Sequence, residues 1–329
     1  MATMRSMPPP GQHGGDGAAV ARAFGLDPKN VLDLSHSLNP LAPDPRRLME
    51  RHLDSLRRYP DAARATAALA EAMGVDEELL LLTNGGAEAI HLVSAEIGGR
   101  VVEPEFSLHP RHGGPLWRSN PHNPSGLLAP PGEHARVWDE AFFALATGRW
   151  TRGDADAVVV GSLTKLFGCP GLRIGYVLVP AAAAGMIDRC RRRQPEWSVN
   201  AMAVSALPDL LATADLAAWS AGVRSLRNQL VDVLRAHGLR PEPSDANWVL
   251  VPGPELRACL APHGIVVRDC TSFGMPEMVR VAVPTHEGLE RLHRALTVIE
   301  QGAPGPAADG QWPSDRPYAL QVVPKKGVS

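Results

Sequence analysis

Short apolar runs alternate with stretches of helical periodicity along the first 180 residues. Helical spacing predicts helices at residues 17–25, 44–57, 62–74 and 87–98, and apolar runs predict strands at 79–83, 100–104, 135–143, 156–163 and 173–180. Strands that alternate with helices are typical of a mainly parallel α/β sheet.

The second half of the chain has a different pattern. It is mostly helical from residue 181 to about 236, and strand-like runs at 246–252, 264–269 and 278–284 then precede a final helix at 286–300. We therefore predict a flexible N-terminus at 1–16, a large domain at 17–200 whose N-terminal arm contributes to the small domain, a small C-terminal α+β domain at 201–301, and a disordered Pro/Gly-rich tail at 302–329.

Composition excludes several functional classes. The formal net charge of −2 gives no strong attraction to nucleic acid or to an anionic membrane. No apolar run approaches the roughly 20 residues that span a bilayer, and the first residues lack the apolar core of a secretory signal, so we expect a cytoplasmic protein. The four cysteines are scattered and the twelve histidines form no HExxH pair, so we expect no metal.

Lysine is unusually scarce in this chain. Of 33 lysine and arginine residues only four are lysines, at positions 29, 165, 325 and 326. Arginine stays protonated and cannot form an imine with a carbonyl compound, whereas lysine forms one once its amine is desolvated. A lysine kept in the middle of an arginine-rich chain is therefore a candidate catalytic residue.

Lys165 lies in the segment GSLTKLFGCPGLRIGY at 161–176. If Lys165 binds pyridoxal phosphate (PLP) as an imine, then Ser162, Thr164 and Arg173 are suited to hold the cofactor phosphate, because a guanidinium binds phosphate with two hydrogen bonds. The Ser-x-x-Lys spacing also occurs in serine acyl-transfer enzymes, but their SDN and KTG elements are absent here. A solvated lysine beside a surface arginine remains the simpler alternative.

Other segments supply partners for such a cofactor. Asp139 ends an apolar strand and is suited to hold the proton on a pyridinium nitrogen, and Asn123 to donate to the ring oxygen. The glycines of TNGGAE at 83–88 precede a predicted helix. They either expose the first amides of that helix to an anion or simply form a tight turn. Phe106 either stacks on the ring or packs in the core. Arg280, within an apolar strand, binds either a substrate carboxylate or an internal acid.

In this order the segments resemble fold-type I PLP-dependent enzymes of the histidinol-phosphate aminotransferase group, and within it the threonine-phosphate decarboxylases of cobalamin biosynthesis. The resemblance covers roughly 12–300 and rests on HGG (13–15), LDLSHSLNPLAP (32–43), RYPDA (58–62), NGGAEAI (84–90), NPHNPSGLL (120–128), DEAF (139–142), SLTKLFGCPGLRIGY (162–176), WSVNA (197–201), ANWVLV (246–251) and VRDCTSFGMPEMVRVAV (267–283).

The resemblance implies roles for individual residues. Lys165 is the imine lysine and Asp139 the pyridinium partner. The other cofactor contacts that it implies come from the ring-facing residues Asn123 and Phe106 and from a phosphate cup made of Gly85, Gly86, Ala87, Ser162, Thr164 and Arg173.

It also implies contacts to the substrate and to a second subunit. Arg280 binds the α-carboxylate of an amino-acid substrate, and Arg268 and His13 are candidates for a phosphate on that substrate. Tyr59 reaches the cofactor phosphate of a neighbouring subunit, which implies a homodimer with shared active sites.

The chain departs from this family pattern in four places. Sixteen residues separate Phe106 from Asn123 and fifteen separate Asn123 from Asp139, too few for a full strand-and-helix crossover, so the large domain is shortened. Ala87 stands where a polar side chain often helps bind phosphate, and Phe142 of DEAF lacks the hydroxyl of the DEAY found in most histidinol-phosphate aminotransferases.

Three functions follow in order of expectation. The first is decarboxylation of a phosphorylated hydroxy-amino acid that resembles L-threonine O-3-phosphate. The second is transamination of histidinol phosphate or another amino acid, and the third is a repurposed or non-catalytic protein with this fold.

Overall fold

The structure is a computed structural model that describes residues 7–302. Its strands are β1 (Leu32–Leu34), β2 (Leu80–Thr83), β3 (Trp117–Ser119), β4 (Val137–Asp139), β5 (Val158–Ser162), β6 (Gly175–Leu178), β7 (Trp248–Pro252), β8 (Ile265–Asp269) and β9 (Met278–Ala282). Its α-helices are α1 (Gly17–Phe24), α2 (Arg46–Glu50), α3 (Ala63–Met73), α4 (Gly85–Ile97), α5 (Phe143–Thr147), α6 (Leu163–Leu166), α7 (Gly185–Arg193), α8 (Ala201–Ala212), α9 (Leu216–Ala236), α10 (Leu256–Leu260) and α11 (His286–Glu300).

The described residues form two compact units. The large unit comprises residues 38–224 and 245–247, and the small unit comprises 7–37, 225–244 and 248–302. The sequence placed the boundary near 200, but α8 packs on α3 and so keeps the following residues with the large unit.

The large unit is built on a five-stranded sheet of order β2-β6-β5-β4-β3. β6 is antiparallel to both its neighbours, while β3, β4 and β5 pair in parallel, so four of the five strands run in one direction. The predicted mainly parallel α/β sheet is therefore confirmed. The carboxyl ends of β3, β4 and β5 lie at one edge of the sheet, the edge at which ligands bind in such folds.

Both faces of this sheet are buried, which explains the continuous apolar runs of its strands. Leu82 and Val159 pack with residues of α3 and α8 on one face. Leu81 and Val158 pack with residues of α4 and α7 on the other.

The connections around β3 are short and irregular. Residues 120–136 join the parallel neighbours β3 and β4 without any helix or strand, which accounts for the predicted shortening. The strand predicted at 100–104 is wrong: only isolated bridges occur there, between Arg100 and Leu116 and between Gly99 and Gly113. The Trp117 indole packs closely against Gly99, and the chain turns here instead of continuing as a strand.

The small unit has a four-stranded sheet of order β1-β8-β9-β7, with β1 and β8 parallel and the other pairs antiparallel. β1 and α1 of this unit come from the N-terminal part of the chain. Asp16 accepts hydrogen bonds from the Gly11 amide (3.0 Å) and from Arg257 (3.1 Å), so part of the segment predicted to be flexible is anchored. The predicted tail after residue 302 lies outside the described residues.

Between residues 7 and 302, no single helix has the length and apolar character needed to cross a bilayer. The pair α8 and α9, which meet at a bend of 84°, meets that test together on length and composition alone.

Candidate active site

Lys165 lies on the short helix α6, directly beyond the carboxyl end of β5. Its main-chain carbonyl accepts a hydrogen bond from the Asn39 amide (3.0 Å), and the Asn39 side chain donates to the carbonyl of Leu166 (2.9 Å). Asn39 is buried, so these two bonds fix the backbone of α6 from the side. The lysine is thus attached to a rigid position at the ligand-binding edge of the sheet.

The amino end of α4 meets the same edge. The Ser162 and Thr164 hydroxyls are 2.8 Å apart, and a Cβ atom placed on Gly86 would lie 3.3 Å from Ser162 Cβ. A Cβ on Gly85 would lie 2.3 Å from an Arg173 guanidinium nitrogen. Helix amides, two hydroxyls and a guanidinium therefore converge, as binding of a phosphate requires.

Two backbone features keep this cup open. Gly85 has a positive φ of 73° and leaves the space that the Arg173 guanidinium occupies. Arg173 itself has a φ of 54°, a conformation that side-chain-bearing residues adopt rarely and that persists mostly at functional sites. Ala87 is exposed in the first turn of α4 and contributes only its main chain.

Glu88 caps α4 rather than facing a ligand. Its carboxylate accepts a hydrogen bond from the Asn84 amide (2.7 Å) and from the side chains of Gln194 and Ser198 (both 2.9 Å). This arrangement satisfies one helix amide and leaves those of the following turn for an anion.

Asp139 is buried at the carboxyl end of β4, the neighbour of β5. One carboxylate oxygen lies 2.9 Å from His109 Nε2, and the other accepts the Ala141 amide (3.0 Å). His109 is itself buried, and its Nδ1 lies 3.7 Å from Glu105 Oε1. A histidine between two buried acids fixes the orientation of the aspartate.

The two residues predicted to face the cofactor ring lie in the adjoining loops. Asn123 is buried, and its main-chain N–H donates to Ser119 Oγ (2.7 Å). The Phe106 ring meets the His109 ring edge-on, with 5.6 Å between ring centroids.

Glu140, the residue after Asp139, is buried, and so is Tyr176 on β6. Burial raises the pKa of the Glu140 carboxyl to about 7, although hydrogen bonds from Thr151 and from the Arg152 amide oppose the shift. Burial also raises the pKa of the Tyr176 hydroxyl well above its usual value, with Glu140 and Asp139 as smaller causes. Glu140 Oε2 has no hydrogen-bond partner.

Glu140 gives a prediction of pH dependence. Because its folded pKa is raised, the folded state binds more protons than the unfolded state between about pH 4.5 and 7, so stability falls as pH rises through this window. Glu140→Gln removes this dependence. On passing from pH 4.5 to 8 we expect the free energy of unfolding of the variant to rise, relative to that of the wild type, by up to roughly 3 kcal/mol. Urea unfolding of both proteins at both pH values measures this difference. The same change of unfolding free energy with pH in the variant and the wild type would contradict the prediction.

The predicted substrate residues lie in the small unit. Arg268 and Arg280 are both buried and stand directly opposite each other on β8 and β9. Burial lowers the pKa of Arg268 to about 10. Burial, and after it the charge of Arg268, lowers the pKa of Arg280 well below its usual value. His13 is exposed. Partial desolvation, and after it the positive charge of Arg268, lowers the pKa of His13.

Tyr59 lies on the surface of the large unit. Its side chain is 77% exposed and stacks on Trp197, which is 57% exposed, with 4.4 Å between ring centroids. An exposed aromatic pair is unusual on a monomer surface and is typical of protein interfaces.

The structure thus brings Lys165, Asp139, Asn123, Phe106 and the phosphate cup to one edge of the large sheet. Sequence reasoning predicted no role for Glu105 or His109. A loop histidine with no second metal ligand nearby in the sequence does not indicate a site. Within residues 7–302 no cluster of three or more His, Cys, Asp or Glu side chains is arranged to hold a metal.

The fold and this edge define a fold-type I enzyme that depends on PLP. The chain belongs to the aminotransferase class I and II family, whose sequence profile matches residues 112–296. The predicted family, fold and cofactor are thereby confirmed.

Individual relatives agree with this assignment. The chain is 28% identical to histidinol-phosphate aminotransferase 1 of Dechloromonas aromatica, over 84% of this chain and 93% of that protein. The histidinol-phosphate aminotransferase of Sinorhizobium meliloti, solved in complex with pyridoxal-5'-phosphate, has the same fold (TM-score 0.71, 16% identity, 85% and 93% of the two chains). So does L-threonine-O-3-phosphate decarboxylase of Porphyromonas gingivalis (TM-score 0.68, 21% identity, 82% and 100%).

The glycine at the phosphate cup gives a second prediction. Gly85→Ala places a methyl group against the Arg173 guanidinium, and we expect the dissociation constant for PLP to rise by about 10-fold or more, since a displaced charged contact costs about 1.5–3 kcal/mol. Fluorescence titration of the apoprotein measures it. Gly74→Ala is the matched control, because Gly74 also has a positive φ but open space around it. Equal losses of affinity in both variants would contradict the prediction.

Proposed function

We propose that PLP binds at the carboxyl ends of β4 and β5 with Lys165 as its covalent anchor. The observation that carries the proposal is the convergence of the α4 amides, Ser162 and Arg173 beside Lys165. In this proposal the phosphate occupies the cup formed by Gly85, Gly86, Ala87, Ser162, Thr164 and Arg173. Asp139 holds a proton on the ring nitrogen, Asn123 binds the ring oxygen and Phe106 covers the ring.

The bound cofactor supplies an electron sink for a substrate amine. The chain's own residues would then control protons: the amine of Lys165 would accept the proton that leaves the substrate Cα, and Asp139 would keep the ring nitrogen protonated. The buried position of Asp139 excludes water from this carboxylate.

We propose transamination of a phosphorylated amino acid or amino alcohol, with histidinol phosphate as the first candidate. The relatives that support it are aminotransferases, so the order expected from the sequence is reversed. Decarboxylation of O-phosphothreonine is the second candidate. It is favoured by Phe142, which has no hydroxyl to offer the cofactor oxygen, and by the decarboxylase among the structures of the same fold.

An anionic substrate suits the small unit's arginines. Two buried guanidiniums on opposite strand positions repel each other, so an anion between them is strongly stabilised. We assign Arg268, with His13, to a substrate phosphate. Histidinol phosphate has no carboxylate, so we assign Arg280 to the α-carboxylate of an amino-acid substrate or of the 2-oxo acid that accepts the amino group.

A half-reaction separates the two chemistries. Stoichiometric PLP-loaded protein is mixed with histidinol phosphate or with O-phosphothreonine. Transamination predicts pyridoxamine phosphate and one equivalent of a carbonyl product from histidinol phosphate. Release of CO2 and aminopropanol phosphate from O-phosphothreonine would establish the second candidate instead, and no reaction with either would refute both substrates.

We also propose a homodimer in which Tyr59 reaches the cofactor phosphate of the neighbouring subunit. The exposed Tyr59–Trp197 pair supports it. Inactive Lys165→Ala protein mixed with a weakened Tyr59→Phe protein then regains activity, because one site of each mixed dimer contains both native residues. No recovery after subunit exchange would contradict a site that Tyr59 shares between two subunits.

A cytoplasmic location remains a proposal. It is supported by the four cysteines, all of which are buried and free of disulfides, as is usual in a reducing compartment. Fractionation of cells that produce the protein tests it.

A further inference from the structure

Glu105 is a buried carboxylate outside the predicted active-site set. Its side chain is 2% exposed and lies in the loop that precedes β3. It accepts hydrogen bonds from the Ser119 amide (2.9 Å), the Ser119 hydroxyl (2.5 Å) and the Phe106 amide (2.8 Å). A buried carboxylate is costly, and these three donors offset part of that cost.

Two chains of contacts lead from Glu105 to the ring-facing residues. On one side the Ser119 hydroxyl donates a hydrogen bond to Glu105 and accepts one from the main-chain N–H of Asn123 (2.7 Å). On the other side His109 lies between Glu105, 3.7 Å from its Nδ1, and Asp139, 2.9 Å from its Nε2. Phe106 is the next residue in the chain and is bonded directly.

The shortened connections give this carboxylate its importance. No helix or strand lies between α4 and β3, and none between β3 and β4, so neither loop is held by packed regular elements. Phe106 and Asn123 both belong to these loops. A loop that carries ligand-binding residues needs fixed polar contacts to hold them in place.

We propose that Glu105 is a positioning residue that orients Asn123, Phe106 and, through His109, Asp139 for the cofactor ring. This inference rests on the proposed PLP site. It implies that the affinity for PLP depends on a carboxylate that does not touch the cofactor.

Glu105→Gln tests the inference with almost no change in volume. An amide has one acceptor oxygen, so its NH2 group must face the Ser119 amide or the two donors on the other side. We expect the dissociation constant of the apoprotein for PLP to rise by about 10-fold, the size typical when a residue that supports a ligand contact is lost. Titration is done well below the melting temperature of every variant, with circular dichroism confirming the fold.

Ser119→Ala keeps the test decisive if Glu105→Gln does not fold. It removes only the hydroxyl that links Glu105 to Asn123, and we expect PLP affinity to fall by about 3-fold or more, as loss of one hydrogen bond in the link implies. In the double variant the two effects should not add, because both act through one chain of contacts.

Glu133→Gln is the matched control. Glu133 pairs with Arg118, the β3 neighbour of Ser119, and Glu133→Gln should keep wild-type affinity. If Glu105→Gln and Ser119→Ala lower the melting temperature yet bind PLP like wild type, the role is structural only and the inference is overturned. If wild-type protein itself does not bind PLP, the proposed function fails instead.

Discussion

Replacement of Lys165 by alanine is expected to lower multiple-turnover activity by at least about 10³-fold, because the chain loses both its covalent anchor for PLP and the amine that moves the Cα proton. The fall is measured as steady-state formation of the carbonyl product. PLP should still enter the phosphate cup through the α4 amides, Ser162 and Arg173, so a weak complex should remain that borohydride does not make covalent.

Lys29→Ala is the control for this variant. Lys29 is exposed and is the other lysine within the described residues, so its loss should leave activity and cofactor binding unchanged. An active Lys165→Ala protein would contradict the assignment of the catalytic lysine.

Replacement of Asp139 by asparagine is expected to lower turnover by on the order of 100-fold or more, the usual size of a lost acid–base contribution. Asparagine retains an oxygen near His109 Nε2 but has no charge to hold the ring proton. The loss should therefore fall on kcat, while PLP binding weakens less.

The matched control is Asp156→Asn, an exposed aspartate just before β5. Wild-type kcat in Asp139→Asn would show that the ring nitrogen is protonated by another group, and would remove Asp139 from the site.

The large sheet was partly predictable from local patterns. β2, β5 and β6 are buried on both faces, and their continuous apolar runs therefore marked them as strands. β3 was not predicted, because the three residues WRS have neither an apolar run nor a clear alternation. The predicted helix at 44–57 divides into α2 and a 3-10 helix at Leu53–Arg57.

The site was predictable where a side chain sits next to a recognisable turn. Lys165 and Gly85 each follow a predicted strand, Asp139 lies within one, and the carboxyl ends of parallel strands meet at one edge. The contacts of Asp139 with His109 and of Glu105 with Ser119 cross 30 and 14 positions of the chain. Local periodicity has no information on such pairs, so these partners emerged only from the folded structure.

The central claim is that Lys165 carries PLP. Protein purified with PLP should be yellow, and borohydride followed by peptide mass mapping should find the pyridoxyl group on Lys165 alone. A colourless protein, or a label on Lys29 with Lys165 unmodified, would contradict the account.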